Sequence, residues 1–227
     1  GVVKTGTLFS GDVVQSRVDA FTRRCAQVHH TSTHLLQAAL REIVGSDISQ
    51  AGSLVGFDRM RFDFHYSSPV GLNDLKKVEK LINLWISQEH SLLVSEMSID
   101  DAKRDGAIAM FGEKYGEIVR VVDIPNISME LCGGTHVANT SQIGLFKIVS
   151  ETGIAAGIRR IEAIAGQPAF DYLTHRDAIV SHLSELFKTQ SNQIIDRVNA
   201  LQNEIKDLRK SLQKAHSDAA SSKALSL

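Results

Sequence analysis

Two pairs of side chains, each spaced four residues apart, place the strongest constraint on how this chain can fold: His30 with His34, and, much later, Cys132 with His136. The first pair lies in a stretch where the apolar positions Val28, Leu35, Leu36, Ala39, Leu40 and Ile43 recur every three or four residues. That periodicity predicts a helix over Arg23 to Val44, stopped at Gly45, with both imidazoles projecting from one face about one turn apart. The second pair frames two glycines in Cys132-Gly133-Gly134-Thr135-His136, a loop whose backbone can approach other groups closely. Either pair alone is weak evidence of a site. Together they offer three imidazoles and a thiol, a donor set suited to zinc, and one shared ion requires the helix and the loop to meet.

Elsewhere the pattern mixes helix and strand periods. Met60, Phe62, Phe64 and Tyr66 alternate with Arg59, Arg61, Asp63 and His65, which predicts a strand with one buried face. Asn73 offers an N-cap for a helix whose inward face carries Leu75, Val78, Leu81, Ile82, Trp85 and Ile86. Further strand-like segments fall near 91 to 97, 117 to 124, 144 to 151 and 157 to 164. No regular βαβ repeat connects them, so the expected fold class is α+β, with a mixed, mainly antiparallel sheet and packed helices.

Three regions follow. Residues 1 to 20 place Val2, Val3, Leu8, Val13, Val14 and Val18 around Ser10-Gly11-Asp12, which reads as a short N-terminal β hairpin, the remnant of a preceding β module. Residues 21 to 166 form the main domain. Residues 167 to 227 open with Pro168 near a helix start and continue as a long helix in which Ile194, Val198, Leu201, Ile205, Leu208 and Leu212 are spaced 4, 3, 4, 3 and 4. Such a narrow apolar stripe calls for a partner, either a coiled coil within or between chains, including a homodimer, or packing back on the main domain.

Composition excludes several classes. With 25 Lys plus Arg against 26 Asp plus Glu, the net charge of -1 gives no general attraction to nucleic acid, and any RNA contact must come from a local basic patch. No apolar run is long enough for a membrane span, and no signal peptide is visible at the N-terminus. Two cysteines cannot form a disulfide scaffold, which favours a reducing compartment, the cytoplasm or an organelle interior. Neither a membrane nor DNA is an expected partner.

Five segments, in order, carry a family resemblance: His30 to Arg41, Gln50 to Val55, Arg59 to Phe64, Cys132 to Val137 and Gly157 to Ala163. Across about residues 5 to 165 the chain resembles the editing domain of alanyl-tRNA synthetase, and the following helix resembles the start of that enzyme's C-terminal region. The resemblance implies a hydrolase that clears seryl and glycyl esters from the acceptor end of tRNA(Ala). Such a site is needed because one methyl or hydroxyl group supports discrimination of only about 1 to 3 kcal/mol. It also implies that His30, His34, Cys132 and His136 are the zinc ligands, that Gln50 belongs to the editing site, and that the Thr33 hydroxyl senses the serine side chain. His29 and Ser32 stand where the family more often has asparagine and alanine.

Further expectations concern chemistry. The N–H groups of Gly133 and Gly134 are candidates to stabilise an oxyanion. Arg59, Arg61, Arg159 and Arg160 are candidates for RNA phosphate, with adjacent Arg159 and Arg160 pointing to opposite faces of a strand. The ion itself could anchor helix and loop, exchange a weak ligand for water, or bind the substrate amino group. No aminoacylation domain is recognisable, so neither alanine activation nor ATP use is expected. Two rivals stand beside a ligase fragment: a free-standing alanyl editing protein acting in trans, and a non-catalytic zinc-stapled module for RNA binding or dimerisation.

Overall fold

The computed structural model describes residues 2–109 and 115–224, with side chains described through residue 217. The chain divides into two compact units, Gly1–Phe170 and Asp171–Leu227. The first helix, α1, spans Ala20–Ile43 and starts earlier than periodicity predicts because Asp19 caps it, its carboxylate accepting from the Thr22 N–H at 2.7 Å. β1 (Gln50–Val55) and β2 (Met60–His65) follow, then α2 (Leu72–Ser87). Gly71, not Asn73, is the N-cap of α2, and its carbonyl accepts from the N–H groups of Asp74 and Leu75. β3 (Leu93–Ser98), the short α3 (Ile99–Arg104), β4 (Ile118–Ile124) and β5 (Ser128–Leu131) come next, and β6 (Phe146–Ala155) and β7 (Ile158–Ala165) complete the strands.

The strands form two antiparallel sheets, ordered β1-β2-β7-β6 and β3-β4-β5. In the larger sheet the period-two pattern decides the buried face: Met60 sits opposite Ala163 and Phe62 opposite Ile161, all fully buried. On that face α1 contributes Leu35, Leu36, Ala39 and Leu40, and α2 contributes Val78, Ile82, Trp85 and Ile86, in one continuous core. A second, smaller core gathers Ala102, Val119, Val121 and Leu131 from α3 and the smaller sheet. The expected α+β class is the observed one.

Two local expectations are corrected. The N-terminal β hairpin does not form: residues 2–18 contain no strand, only a turn at Ser10 and Gly11 in which the Asp12 carboxylate accepts from the Phe9 N–H at 2.8 Å. Val2, Val3, Val13 and Val14 remain exposed, so nothing offsets the cost of ordering an isolated two-stranded ribbon. The C-terminal helix is not continuous. α4 (Gln167–Phe187) ends at Lys188, whose φ of 49° is left-handed, with Lys188 N–H bonded to Glu185 and Thr189 N–H to Ser184. These two bonds make a Schellman stop, and α5 (Ile194–Ala224) begins after it. All six stripe residues therefore fall in α5, where Ile205, Leu208 and Leu212 are exposed. No helix among the described residues is long and apolar enough to cross a membrane.

Candidate metal centre

The structure brings the two distant pairs together. One ligand atom from each of His30, His34, Cys132 and His136 lies within 4.8 Å of the others. Cys132 Sγ is 3.4 Å from His30 Nε2 and 3.3 Å from His136 Nε2. A tetrahedral zinc with ordinary Zn–S and Zn–N bonds has ligand edges of about 3.3 to 3.6 Å, which the two distances to Cys132 Sγ match. The rings of His30 and His136 have centroids 4.1 Å apart, those of His34 and His136 4.7 Å, so the three imidazoles converge on one point.

Three of the four ligands are fixed by neighbouring groups. With Nε2 turned to Cys132, His136 presents Nδ1 to Thr31 Oγ1 at 3.2 Å, and the same hydroxyl oxygen accepts from the Val137 N–H at 3.2 Å. This contact fixes which ring nitrogen faces the ion. Gly134 packs so closely on His30 that a Cβ there would stand 2.1 Å from Cε1 of the ring, which explains the glycine. Arg120 on β4 donates from Nη1 to the carbonyls of Cys132 at 2.6 Å and Gly134 at 2.9 Å, while Cys132 N–H donates back to the Arg120 carbonyl. His34 is the buried end of the set: its Nδ1 comes within 3.3 Å of the Glu130 carboxylate without the alignment of a hydrogen bond.

Electrostatics favour neutral, ligand-ready groups. Burial, reinforced by His30, lowers the His34 pKa to about 3, and burial likewise lowers those of His30 and His136. Burial raises Glu130 to about 7 against the pull of the Ser128 hydroxyl and Arg41. Thr31, Arg120 and Glu130 were not among the candidates read from the sequence. Glu130 stands two residues before Cys132, but its importance depends on a buried contact across to α1 that no local spacing reveals.

The other candidates are more dispersed. Thr33 is buried on α1 against β2: its hydroxyl donates to the His29 carbonyl at 2.9 Å and lies 3.7 Å from Met60 Sδ. Gln50 begins β1, donates to Ser53 Oγ at 3.1 Å, and lines a cavity of about 60 Å³ with Gln37, Arg41 and Glu130. Arg160 makes a two-pronged pair with Asp63, both bonds 2.7 Å, and Arg159 is bound to Glu151 at 2.6 Å from the opposite face of β7. Arg59 is exposed, and Arg61 has its Nε buried without an acceptor. His29, apolar in setting despite its type, is fully buried: Nδ1 donates to the Gly56 carbonyl at 3.0 Å and Nε2 accepts from the Ala165 N–H at 3.1 Å.

Comparison with known proteins agrees with this geometry. The family model described as the threonyl and alanyl tRNA synthetase second additional domain matches residues 119–162, from β4 through the ligand loop into β7. Over all 227 residues the chain is 68% identical to the alanine-tRNA ligase of one Prochlorococcus marinus strain and 66% identical to that of a second. A Synechococcus alanine-tRNA ligase is 58% identical over the same length. The chain spans 25% to 26% of the length of these curated relatives. Because every residue aligns with ligases of one name and the domain model falls on the strands and loop that carry two of the four ligands, the chain belongs to the alanyl-tRNA synthetase family, as a segment that carries its second additional domain.

Proposed function

We propose that the chain hydrolyses the ester joining serine or glycine to the 3′ adenosine of tRNA(Ala), within a larger ligase in the cytoplasm or an organelle interior. The observation that carries this reading is the convergence of His30, His34, Cys132 and His136 beside a glycine loop that is only partly covered. His34 closes the buried side, whereas Cys132, Gly133 and Thr135 retain exposure, so a substrate approaches from the loop side. Zinc, when bound, supplies a positive centre that fixes the pocket and can polarise an ester carbonyl or a water. Thr33 commits its proton to His29, so toward a serine hydroxyl it acts only as an acceptor. Gln50, on an edge strand beside the Glu130 cavity, orients substrate or water through its amide.

Arg59 and Arg61 are the better candidates for RNA phosphate, since Arg159 and Arg160 hold carboxylates at 2.6 to 2.7 Å, whereas exposed Arg59 stands 4.0 Å from Asp58. Alignment of the whole chain with about a quarter of an alanine-tRNA ligase supports a site acting within a synthetase over a free-standing editor.

The test pairs metal content with deacylation on one sample. The expected result is bound zinc, loss of seryl-tRNA(Ala) and sparing of alanyl-tRNA(Ala), with both zinc and hydrolysis removed by Cys132→Ala. Unchanged zinc and hydrolysis in that variant would overturn the metal reading, and protection of seryl-tRNA would identify a non-catalytic binding module.

A further inference from the structure

We infer that Arg120 is a positioning residue that turns the backbone N–H groups of Gly133 and Thr135 into paired donors for the oxyanion of the hydrolysed ester, an inference that rests on the hydrolytic reading above. The guanidinium holds the carbonyls of Cys132 and Gly134. In a planar trans peptide the C=O and the following N–H point in opposite directions, and no described peptide bond is cis. Fixing those two carbonyls on Arg120 therefore fixes the N–H groups of Gly133 and Thr135 away from it. Both residues are exposed, and among the described residues neither N–H has an acceptor.

The loop is clamped from both ends of its span. Cys132 N–H is tied to the Arg120 carbonyl, and Gly134 is wedged against the His30 ring. Two free donors on a rigid loop beside a ligand set are preorganised for developing negative charge, and the nearby guanidinium adds a favourable field. The step balances simply. Water adds to the ester carbon and gives up a proton to solvent, leaving negative charge on the former carbonyl oxygen, where the two N–H groups receive it. Collapse restores the C=O and breaks the bond to the ribose oxygen, which takes a proton back and leaves as the tRNA hydroxyl.

The experiment compares Arg120→Met and Arg120→Lys with the unaltered 227-residue chain. Thermal melts and the thiolate charge-transfer band of the cobalt-substituted proteins report fold and ligand set. The expected result for Arg120→Met is a retained cobalt band, a kcat on seryl-tRNA(Ala) lower by about a hundredfold with KM within threefold, and partial recovery in Arg120→Lys. Independently of turnover, amide NMR with a phosphonate mimic of the tetrahedral ester should shift the Gly133 and Thr135 resonances in the unaltered chain and not in Arg120→Met. Unmoved Gly133 and Thr135 resonances, or an unchanged kcat in Arg120→Met while the unaltered chain hydrolyses seryl-tRNA, overturn the inference and leave the function standing. An unaltered chain that binds the mimic through these amides but hydrolyses no ester overturns the function and supports the donor pair.

Discussion

At the residue scale, two small features carry much of the site. Gly134 has no room for a side chain beside His30, so Gly134→Ala must displace either the ring or the loop. The expected outcome is a loss of zinc affinity of about tenfold or more, measured by competition with a chromogenic chelator, with little change in the melting of the larger core. His29 uses both ring nitrogens on backbone groups from two different segments, which settles it as the Nδ1–H tautomer and keeps it neutral, burial holding its pKa below the ordinary histidine value. His29→Ala leaves a carbonyl and an N–H unpaired in the interior together with a void, so urea unfolding should show a loss of about 2 to 4 kcal/mol. The four ligands were legible because helix spacing and a Cys-His loop are local signals. Thr31 and Arg120 were not, because each acts on a backbone group or ring supplied by a distant part of the chain. His29 looked like an anomaly in sequence and proves to be a structural bridge.

At the element scale, periodicity located α1 and β2 well, since each places one clean apolar face on a shared core, and strand propensity located β6 and β7. It missed β1, whose Gln50-Ala51-Gly52-Ser53 run has little β character and is a strand only by pairing with β2. It also missed the break before α5. Lys188 carries the left-handed conformation, which crowds a Cβ and which glycine, having none, adopts freely. Lys188→Gly should therefore strengthen the end of α4 by about 0.5 to 1 kcal/mol, read as slower hydrogen exchange of its last-turn amides. The failed hairpin shows the converse: alternating valines alone do not make strands when no sheet edge receives them.

At the scale of the whole molecule, the α5 stripe leaves Ile205, Leu208 and Leu212 exposed as an apolar seam among the described residues. If it joins two chains, light scattering should give a dimer that Leu201→Asp with Leu208→Asp converts to monomer; equal monomers before and after would exclude self-association through residues 194–212. The ligand set has a different consequence. Two of its members stand on α1, rooted in the larger core, and two follow β5, whose Leu131 belongs to the smaller one. The ion would thus add a second link between two apolar nuclei already joined through β4, whose Ile124 is buried in the larger core and whose Val119 and Val121 are buried in the smaller one. Stripped by a chelator, the Gly1–Phe170 unit should give a split calorimetric endotherm, the small sheet loosening first, where the loaded protein gives a single peak.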